Sequence, residues 1–284
     1  MSQADTRLAD MSELQRVIVE EMGVAPQIDP AEEVIRRVDF LVDYMAAVGA
    51  ESMVLGISGG VDSTLAGRLC QLAAEQIRSQ GGRASFHAVR LPYDIQHDEA
   101  DAAAAMEFIG PDHAHTFNIA EPVRGFDAAY RESLGAELSD YHRGNVKARM
   151  RMIAQFAIAG EHRGVVIGTD HAAESVTGFF TKYGDGGADV LPLFTLNKRQ
   201  VRQILHHLGA PEAVAEKVPT ADLLDGIPGR TDEDELGISY EDLDDYLEGR
   251  EIPQTVAHAI EARWRATRHK RTTPVSIADD WWRN

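Results

Sequence analysis

A glycine-rich string between an apolar segment and a helical segment most constrains the fold of this chain. Met53 to Ile57 has the apolar composition of a buried strand, and Val61 to Ile77 is rich in alanine and leucine, as a helix would be. Between them lie Ser58, Gly59 and Gly60. A strand that turns at glycines into a helix presents backbone N–H groups and the positive helix end, which together bind phosphate oxygens. The string therefore predicts an anion site in an α/β protein.

The same string excludes P-loop kinases and GTPases. A P-loop ends in Gly-Lys-Ser or Gly-Lys-Thr, whereas here Gly60 is followed by Val61, Asp62 and Ser63, so the lysine that grips the phosphates is missing. A carboxylate at Asp62 would repel phosphates unless it binds a Mg²⁺ ion that bridges them. The alternative is a plain tight turn in which Asp62 only favours the helix dipole. The position of the whole string at a strand-to-helix junction favours the phosphate site.

Strand-like and helical segments alternate over the first two thirds of the chain, as in a mostly parallel sheet covered by helices on both faces. We predict a single-domain α/β fold with a Rossmann-like, doubly wound, mostly parallel sheet flanked by helices. We divide it into N-terminal helices (1–50), a nucleotide-binding core (51–200) and C-terminal helices with a mobile loop (201–284). The further predicted strands are Ser85–Leu91, Ala114–Ile119 and Gly164–Ile167, and the predicted helices cover 5–22, 30–48, 61–77, 97–109, 121–134, 142–160, 197–208, 240–248 and 254–268.

Composition narrows the function classes. The 284 residues include 28 Lys and Arg against 46 Asp and Glu, and the net charge of -18 opposes nucleic acid as a partner. The single cysteine, Cys70, rules out an intramolecular disulfide and is predicted to be a buried apolar residue. No apolar stretch reaches the length of a membrane span, and Met1 to Asp10 lacks a signal-peptide core. We expect a cytoplasmic protein with no membrane partner.

Several segments together resemble one enzyme family. Ser58–Ser63 resembles the pyrophosphate loop of the ATP pyrophosphatases, and the match becomes closer downstream, at Gly144–Arg151, Gly168–Glu174, Gly178–Asp189 and His269–Arg271. These segments resemble ammonia-dependent NAD synthetases over essentially the whole chain. The resemblance implies a ligase in which ATP adenylates the carboxylate of deamido-NAD (nicotinic acid adenine dinucleotide) and ammonia displaces AMP. The products are NAD, AMP and pyrophosphate, and the step is the last one of NAD biosynthesis.

The family also has glutamine-dependent members, which carry an additional amidase domain ahead of the phosphate loop. The segment before Ser58 is too short for that domain, so free ammonia is the expected nitrogen donor. The resemblance further implies a homodimer whose interface helps to form the deamido-NAD site. Composition and periodicity do not show this.

The resemblance assigns two carboxylates to Mg²⁺, Asp62 and Glu174. From the residues alone, Glu174 is equally a favourable acid in the first turn of a helix, although His171 three residues earlier excludes a capping box. Lys198 is assigned a catalytic role, because an ammonium stabilises the charge of departing pyrophosphate. The residues that the resemblance assigns to ATP, with Arg90 and Gln96 as the weaker candidates, are Gly56, Ile57, Ser58, Gly59, Gly60, Val61, Asp62, Ser63, Arg90, Gln96, Thr169, Lys198 and Thr220.

Two interpretations compete for the second substrate. A basic stripe at i, i+4 spacing consists of Arg143, Lys147 and Arg151. It is either a substrate-binding face or the ordinary solvent-facing side of a helix. The resemblance instead selects residues that are scattered along the chain, and we follow it, with Tyr141 interpreted as a packing aromatic and Asn145 as a possible nicotinate contact. The residues that it assigns to deamido-NAD are Arg149, Lys182, Asp189, His269 and Lys270.

Asp185 lies in a glycine-rich stretch, Tyr183 to Gly187, that is too polar and flexible for a core element. Its carboxylate is a general base for incoming ammonium or an exposed turn aspartate, and both alternatives stay open. The acidic cluster Asp232–Glu235 is interpreted as a solvated surface. Pro219 to Asp234 is expected to be a mobile lid or a poorly ordered segment.

The remaining histidines, including His113, His115, His206 and His207, lack a three-ligand arrangement and are expected to be surface or structural residues. A tRNA thiolation enzyme is disfavoured by the acidic charge and the single cysteine. An adenine-nucleotide sensor without turnover is disfavoured by the clustered catalytic candidates.

Overall fold

A computed structural model describes residues 11–94, 99–218, 231–272 and 274–283. Two helices precede the first strand, and helices alternate with strands up to β4. In chain order the elements are α1 (Glu13–Met22), α2 (Pro30–Val48), β1 (Ser52–Gly56), α3 (Val61–Ser79), β2 (Ser85–Arg90), α4 (Glu99–Ile109), β3 (His113–Thr116), α5 (Ala120–Leu134), α6 (Asp140–Glu161), β4 (Gly164–Val166), α7 (Ala172–Thr177), α8 (Lys198–His207), α9 (Glu212–Ala215), α10 (Asp232–Leu236), α11 (Tyr240–Leu247), α12 (Gln254–Ala266) and α13 (Arg268–Arg271).

The four strands form a parallel sheet in the order β3-β2-β1-β4. The chain moves outward from β1 to β3 and then returns to the other side of β1, so the sheet has its switch point between β1 and β4. In such sheets ligands bind beyond the carboxyl ends of the strands at the switch point. The predicted doubly wound α/β class is confirmed.

Both faces of β1 are covered, which explains its continuous apolar sequence. Met53 and Leu55 pack into the cluster beneath α2, α3 and α8, whereas Val54 packs into the cluster beneath α5 and α6. Cys70 is completely buried in the first cluster, as predicted. The C-terminal helices α11 and α12 pack with α1 and α7 around a further apolar cluster. The sheet is therefore held rigidly while its carboxyl edge stays open.

The predicted elements agree with the structure to within a few residues for most of the chain. Asp29 caps α2, accepting from the backbone N–H of Ala31 at 2.8 Å, with Pro30 at the first helical position. The described part of the first helix begins at Glu13, and residues 5–10 of the predicted helix lie outside the described residues. None of the helices in the described ranges is long and apolar enough to cross a bilayer. The three-part division of the chain stays a prediction.

Candidate active site

The phosphate string forms a tight turn at the carboxyl end of β1. Gly59 has a φ of +87°, and a Cβ at this position would lie 2.8 Å from the backbone nitrogen of Ala102 in α4. Both the backbone conformation and the close packing therefore require glycine. Ser58 Oγ accepts a hydrogen bond from the Gly60 N–H at 3.2 Å and lies 3.1 Å from Ser63 Oγ. The turn is thus held by its own side chains.

The turn forms one wall of an open cavity of about 410 Å³ beyond the ends of β1 and β4. This is the position that the strand order predicts for a ligand. Gly168 and Thr169, which follow β4, form another wall, and Lys270 reaches in from α13. The residues of the predicted site that line the cavity are Gly56, Ile57, Ser58, Gly60, Val61, Asp62, Ser63, Thr169, Glu174, Asp185 and Lys270.

Four ionisable side chains meet beside the phosphate turn. Lys198 Nζ lies 2.8 Å from Asp62 Oδ2 and 3.8 Å from Glu174 Oε1. His171 Nε2 approaches the same carboxylates, at 3.3 Å from Asp62 Oδ1 and 3.6 Å from Glu174 Oε1. Lys198 and His171 are almost completely buried, whereas the two carboxylates keep a narrow opening to the cavity. We call Asp62, His171, Glu174 and Lys198 the buried charge cluster.

Burial and mutual contact set the protonation of this cluster. Burial acts to raise the pKa of Asp62, but the Lys198 ammonium and His171 outweigh it and hold that pKa well below its usual range. Burial raises the pKa of Glu174, and the charge of Asp62 adds to this effect against Lys198. Burial and the Lys198 ammonium lower the pKa of His171. Asp62 and Lys198 therefore form the ion pair, while Glu174 is the carboxyl group that holds a proton when no cation is near.

The donor set of the cluster fits a divalent metal ion. One ligand atom each from Asp62, His171 and Glu174 lies within 4.8 Å of the other two. Asp62 Oδ1 and both ring nitrogens of His171 are buried without a hydrogen-bond partner. Buried polar atoms without partners are costly, and a cation is one way to satisfy them. Carboxylate oxygens beside a phosphate site are the ligands that Mg²⁺ prefers.

Four of the five residues predicted for deamido-NAD lie near one another, and of these four only Lys270 lines the cavity. Arg149 Nη2 donates to the Lys182 carbonyl at 3.1 Å, and Lys182 Nζ donates to the His269 carbonyl at 2.5 Å. Lys270 Nζ donates to the carbonyls of Gly178 and Phe180 at 2.8 and 2.7 Å. These contacts join α6, the glycine-rich loop and α13 into one basic rim.

Other predicted residues lie elsewhere. Asp189 Oδ2 accepts from the Val166 N–H at 2.8 Å, so this carboxylate secures the end of β4. Arg90 forms an ion pair with Glu99 at 3.6 Å and does not line the cavity. Gln96, Thr220 and the predicted lid from 219 to 230 lie outside the described residues.

The glycine-rich loop is packed more tightly than its composition indicates. A Cβ on Gly184 would lie 2.9 Å from the Cβ of Ala148 in α6, so this glycine allows a close approach. Thr181 Oγ1 donates to Asn145 Oδ1, and the Thr181 N–H donates to Asp185 Oδ1, both at 2.9 Å. The expectation of a flexible stretch is therefore wrong for these residues. Desolvation within the cavity wall raises the pKa of Asp185.

The structure divides the basic stripe of α6. Arg143 pairs with Asp127 in α5 at 3.0 Å. Lys147 is buried with its Nζ 4.1 Å from the ring centroid of Tyr93. Arg151 donates to the Leu91 carbonyl at 3.0 Å and lines the cavity. Ordinary helix solvation therefore does not describe this stripe.

Two further interpretations are wrong. Tyr141 is 60% exposed and lines the cavity, so it is not a packing aromatic. Asp232 is buried and accepts a hydrogen bond from the Tyr240 hydroxyl at 3.1 Å, and both Asp232 and Glu235 line the cavity. Glu233 and Asp234 are exposed, so the solvated-surface interpretation is wrong for Asp232 and Glu235 only.

Sequence reasoning missed three buried residues of this region. His171 was noted only as an obstacle to a capping box, yet it contacts both predicted metal ligands. Tyr240 places its ring 4.5 Å from Lys198 Nζ. Asp170 is buried, and its burial together with the charge of Asp185 raises its pKa to about 8. The signal for Asp170 and His171 was their position directly after β4, at the edge where the phosphate turn ends β1.

The fold and this cavity define a nucleotide-binding α/β protein with an anion-binding turn and a candidate metal site at the switch point of its sheet. The family model for NAD synthase matches residues 33–274, and the chain belongs to this family.

Individual relatives agree with this assignment. The chain is 58% identical over 272 residues to an NH(3)-dependent NAD(+) synthetase from Leifsonia xyli subsp. xyli, covering 96% of this chain and 98% of the relative. A crystal structure of NAD+ synthetase from Burkholderia pseudomallei superimposes with a TM-score of 0.79 at 48% identity, covering 92% of this chain and 96% of that one. An NMN synthetase from Francisella tularensis gives a TM-score of 0.78 at 33% identity, covering 89% of this chain and 100% of that one.

Proposed function

We propose that this chain catalyses the ATP-dependent amidation of deamido-NAD by ammonia, giving NAD, AMP and pyrophosphate. The observation that carries the proposal is the position of the buried charge cluster beside the phosphate turn, where its carboxylates Asp62 and Glu174 line the same cavity as Asp185 and Lys270. The high identity to an NH(3)-dependent NAD(+) synthetase supports the choice of reaction.

The phosphate turn would hold the phosphates of ATP. Gly59 and Gly60 let the backbone approach the phosphate oxygens, and the N-terminus of α3 adds its positive end. The Ser58 and Ser63 hydroxyls, 3.1 Å apart, offer further donors when they turn towards the ligand. Thr169 also lines the cavity, so the rest of the nucleotide would extend towards it across the switch point.

Asp62 and Glu174 would hold Mg²⁺. When bound, the ion neutralises phosphate charge and polarises the bond that breaks. Burial raises the pKa of Glu174, and a cation at this place would favour the ionised carboxylate that serves as a ligand. His171 lies against both carboxylates and fixes their separation.

Lys198 would stabilise the departing pyrophosphate. Its Nζ is held by Asp62 at 2.8 Å, and it is completely buried, so the charge acts in a medium that screens it weakly. In the first step the carboxylate oxygen of deamido-NAD attacks the α-phosphorus and the bond to the bridging oxygen breaks. The negative charge that accumulates on the leaving group would be stabilised by Lys198, whose Nζ lies beside the phosphate turn through its contact with Asp62.

The basic rim of Arg149, Lys182, His269 and Lys270 would bind the anionic dinucleotide substrate. Lys270 lines the cavity and is held by two carbonyls, which accept hydrogen bonds without neutralising its charge. Tyr141 and Asn145 lie on the adjoining turn of α6, where an aromatic ring can stack on the nicotinate. Asp189 remains in the proposal as a residue that positions this wall through its bond to Val166.

In the second step ammonia attacks the adenylated carbonyl carbon and the bond to AMP breaks. Ammonium must first lose a proton, and Asp185 is the proposed acceptor because it lies in the cavity wall with a raised pKa. The Thr181 N–H donates to Oδ1 at 2.9 Å and so orients this carboxylate in the cavity wall. A base positioned in this way raises the local fraction of free ammonia.

We also propose a homodimer that forms through α5 and α6, in a cytoplasmic protein. Phe126 and Leu134 on α5 are 40% and 63% exposed, and Ile153 and Phe156 on α6 are 53% and 38% exposed. The spacing places each pair near one face of its helix, and α5 packs against α6, so these exposed apolar side chains are the proposed contact with a second copy. The same helix α6 carries Tyr141, which lines the cavity, so a second copy on this surface would border the substrate site.

The central test incubates the protein with Mg²⁺-ATP and measures NAD, AMP and pyrophosphate. Ammonium and glutamine are compared as nitrogen donors, and deamido-NAD is compared with nicotinic acid mononucleotide, since one structural relative is an NMN synthetase. Equal amounts of NAD and AMP with ammonium and deamido-NAD support the proposal. If nicotinic acid mononucleotide is the preferred substrate, the proposed substrate is wrong. If AMP forms without an amide product, the proposed second step is wrong.

The metal ligands are tested separately from turnover. Mn²⁺ replaces Mg²⁺ at oxygen sites and is observed by electron paramagnetic resonance. Asp62→Asn and Glu174→Gln should each weaken Mn²⁺ binding in the presence of ATP, and Asp101→Asn, an exposed acid of α4, is the control. Full synthesis by Asp62→Asn with unchanged Mg²⁺ dependence would remove Asp62 from the metal site.

A further inference from the structure

Four histidines that the active site does not use lie together on the sheet. His87 is on β2, His113 and His115 are on β3, and His162 follows the end of α6. Parallel pairing places His87 beside His113 and Val89 beside His115, so the three strand histidines share the sheet face that α5 and α6 pack on. The centroid of the His87 ring lies 4.4 Å from that of His113, 5.2 Å from that of His115 and 4.3 Å from that of His162.

The cluster is at the opposite end of the sheet from the cavity. His113 is the first residue of β3, and His162 immediately precedes β4, so the imidazoles lie near the amino ends of the strands. The Ser52 hydroxyl in β1 donates to the His162 carbonyl at 3.0 Å, which fixes the helix end to the sheet. Ligand binding at the histidines is therefore spatially separate from the amidation reaction.

We propose that His87, His113, His115 and His162 form a binding site for a borderline divalent transition metal ion of the zinc class. Imidazole nitrogen suits Zn²⁺, Co²⁺ and Ni²⁺, and four imidazoles are the ligand number of a closed tetrahedral site. An ion at this place ties β3, an edge strand with largely exposed side chains, to β2 and to the end of α6.

The pair of His87 and His115 is the starting point of the site. His87 Nδ1 lies 3.0 Å from His115 Nε2. Two nitrogens on one tetrahedral zinc ion, each at about 2.0–2.1 Å from it, are about 3.3 Å apart. If the two rings turn and move slightly apart, an ion can lie between His87 Nδ1 and His115 Nε2, the nitrogens that now share a proton. Each ring then keeps its proton on its other nitrogen.

The surroundings of His87 suit a ligand. Its Nε2 lies 3.1 Å from Ser85 Oγ, which can accept the remaining ring N–H and orient the imidazole, as outer partners of metal-bound histidines do. The nearest carboxylate, Asp112, is occupied by Arg78 at 2.8 Å and by the Phe86 N–H at 2.9 Å. Burial, together with His113 and His162, lowers the pKa of His87 to about 4, so the ring is neutral at neutral pH. Neutral imidazole is the form that binds metal.

His113 and His162 complete the site by ring rotation. Both side chains are exposed at the surface, and their rings would have to rotate to bring their nitrogens to an ion held by His87 and His115. The buried charge cluster is the obvious competitor for added metal. Its carboxylates prefer Mg²⁺, whereas the four imidazoles do not bind Mg²⁺ well, and an excess of Mg²⁺ therefore separates the two sites.

The test uses the full chain without a histidine tag, stripped of metal and kept in excess Mg²⁺. Co²⁺ is added, and its visible absorption reports binding and tetrahedral geometry, followed by displacement with Zn²⁺. We expect one ion per chain. His113→Gln and His162→Gln should each weaken Co²⁺ binding by about tenfold or more, the effect that even the loss of an outer-shell partner produces. His258→Gln, an exposed histidine on α12, is the matched control and should bind as the parent does.

Two further readouts complete the test. Zn²⁺ should raise the Tm of the parent and of His258→Gln more than that of His113→Gln, because binding to the folded state alone stabilises it. Amidation by His113→Gln should equal that of the parent, which separates this site from the proposed function. The proposal is wrong if Co²⁺ does not bind in excess Mg²⁺. It is also wrong if the double variant, His113→Gln with His162→Gln, binds Co²⁺ as tightly as the parent does; the cluster is then held only by hydrogen bonds and stacking.

Discussion

Lys198 Nζ lies 2.8 Å from Asp62 Oδ2, although 136 residues separate the two in sequence. Lys198 begins α8 and Asp62 lies in the first turn of α3, so the contact is possible only because both helices start at the carboxyl edge of the sheet. The pair fixes the ammonium beside the phosphate turn. The Lys198 ammonium also lowers the pKa of Asp62 and so keeps this carboxylate ionised.

Lys198→Met should abolish most of the pyrophosphate release. The substitution keeps much of the side-chain volume but removes the charge opposite the leaving group, and loss of one such group typically costs about 10²–10³ in rate. Single-turnover measurement of pyrophosphate isolates this step. Arg199→Gln is the control, since Arg199 pairs with Asp245 and Glu248 on α11 and the adjoining turn, away from the cavity. A Lys198→Met rate close to that of the control would remove Lys198 from catalysis.

Gly59→Ala should lower the free energy of unfolding, whereas Gly60→Ala should change it little. At Gly59 the left-handed φ of +87° and the 2.8 Å approach to the Ala102 nitrogen both oppose a side chain, and strain of this kind costs about 1–3 kcal/mol. At Gly60 the φ is -75°, and the nearest atom to an added Cβ is Ser58 Oγ at 3.4 Å. Urea unfolding of the two variants measures the difference, and equal midpoints would contradict the strain argument.

Asp170→Asn should change how stability depends on pH. The pKa of Asp170 is 3.8 when unperturbed and about 8 in the folded chain, where burial and the charge of Asp185 disfavour ionisation. The folded state therefore holds a proton that the unfolded state loses between these values. Its contribution to stability is complete below about pH 4 and is lost as the pH rises towards 8, by up to about 1.4 kcal/mol per pH unit.

Asparagine does not titrate, so the difference in unfolding free energy between the parent and Asp170→Asn isolates this group. Between pH 5 and pH 7.5, the free energy of unfolding of the parent, measured with urea, should fall relative to that of Asp170→Asn. A difference that stays constant over this range would mean that Asp170 is ionised in the folded state.

The central strand β1 was predictable because it is buried on both faces. Met53 and Leu55 face one helical layer and Val54 the other, so the apolar run is visible in sequence. The phosphate turn was predictable for a similar reason, since Gly59 and Gly60 follow a strand and precede a helix. Local pattern was enough in both cases because the chemistry and the fold use consecutive residues.

The rest of the cavity depends on contacts between distant residues. Asp232 has the sequence of a solvated acid, but α10 turns it inward to the Tyr240 hydroxyl. The four histidines were expected to be separate surface or structural residues, and only the register of β2 with β3 brings His87 beside His113. Periodicity reports one helix or strand at a time, so such groupings are not visible to it.

Ile153→Glu should separate the proposed homodimer, whereas Ile35→Glu should not. The two isoleucines match as controls because both lie on helices and are 53% and 61% exposed, but Ile153 belongs to the apolar surface of α5 and α6 and Ile35 to α2. A charge at the centre of an apolar interface is left without water or a partner, which costs several kcal/mol. Analytical ultracentrifugation should find a dimer for Ile35→Glu and a monomer for Ile153→Glu. The monomer should lose more affinity for deamido-NAD than for ATP, because α6 carries both the apolar surface and Tyr141, which lines the cavity. If Ile153→Glu is still a dimer, the interface lies elsewhere.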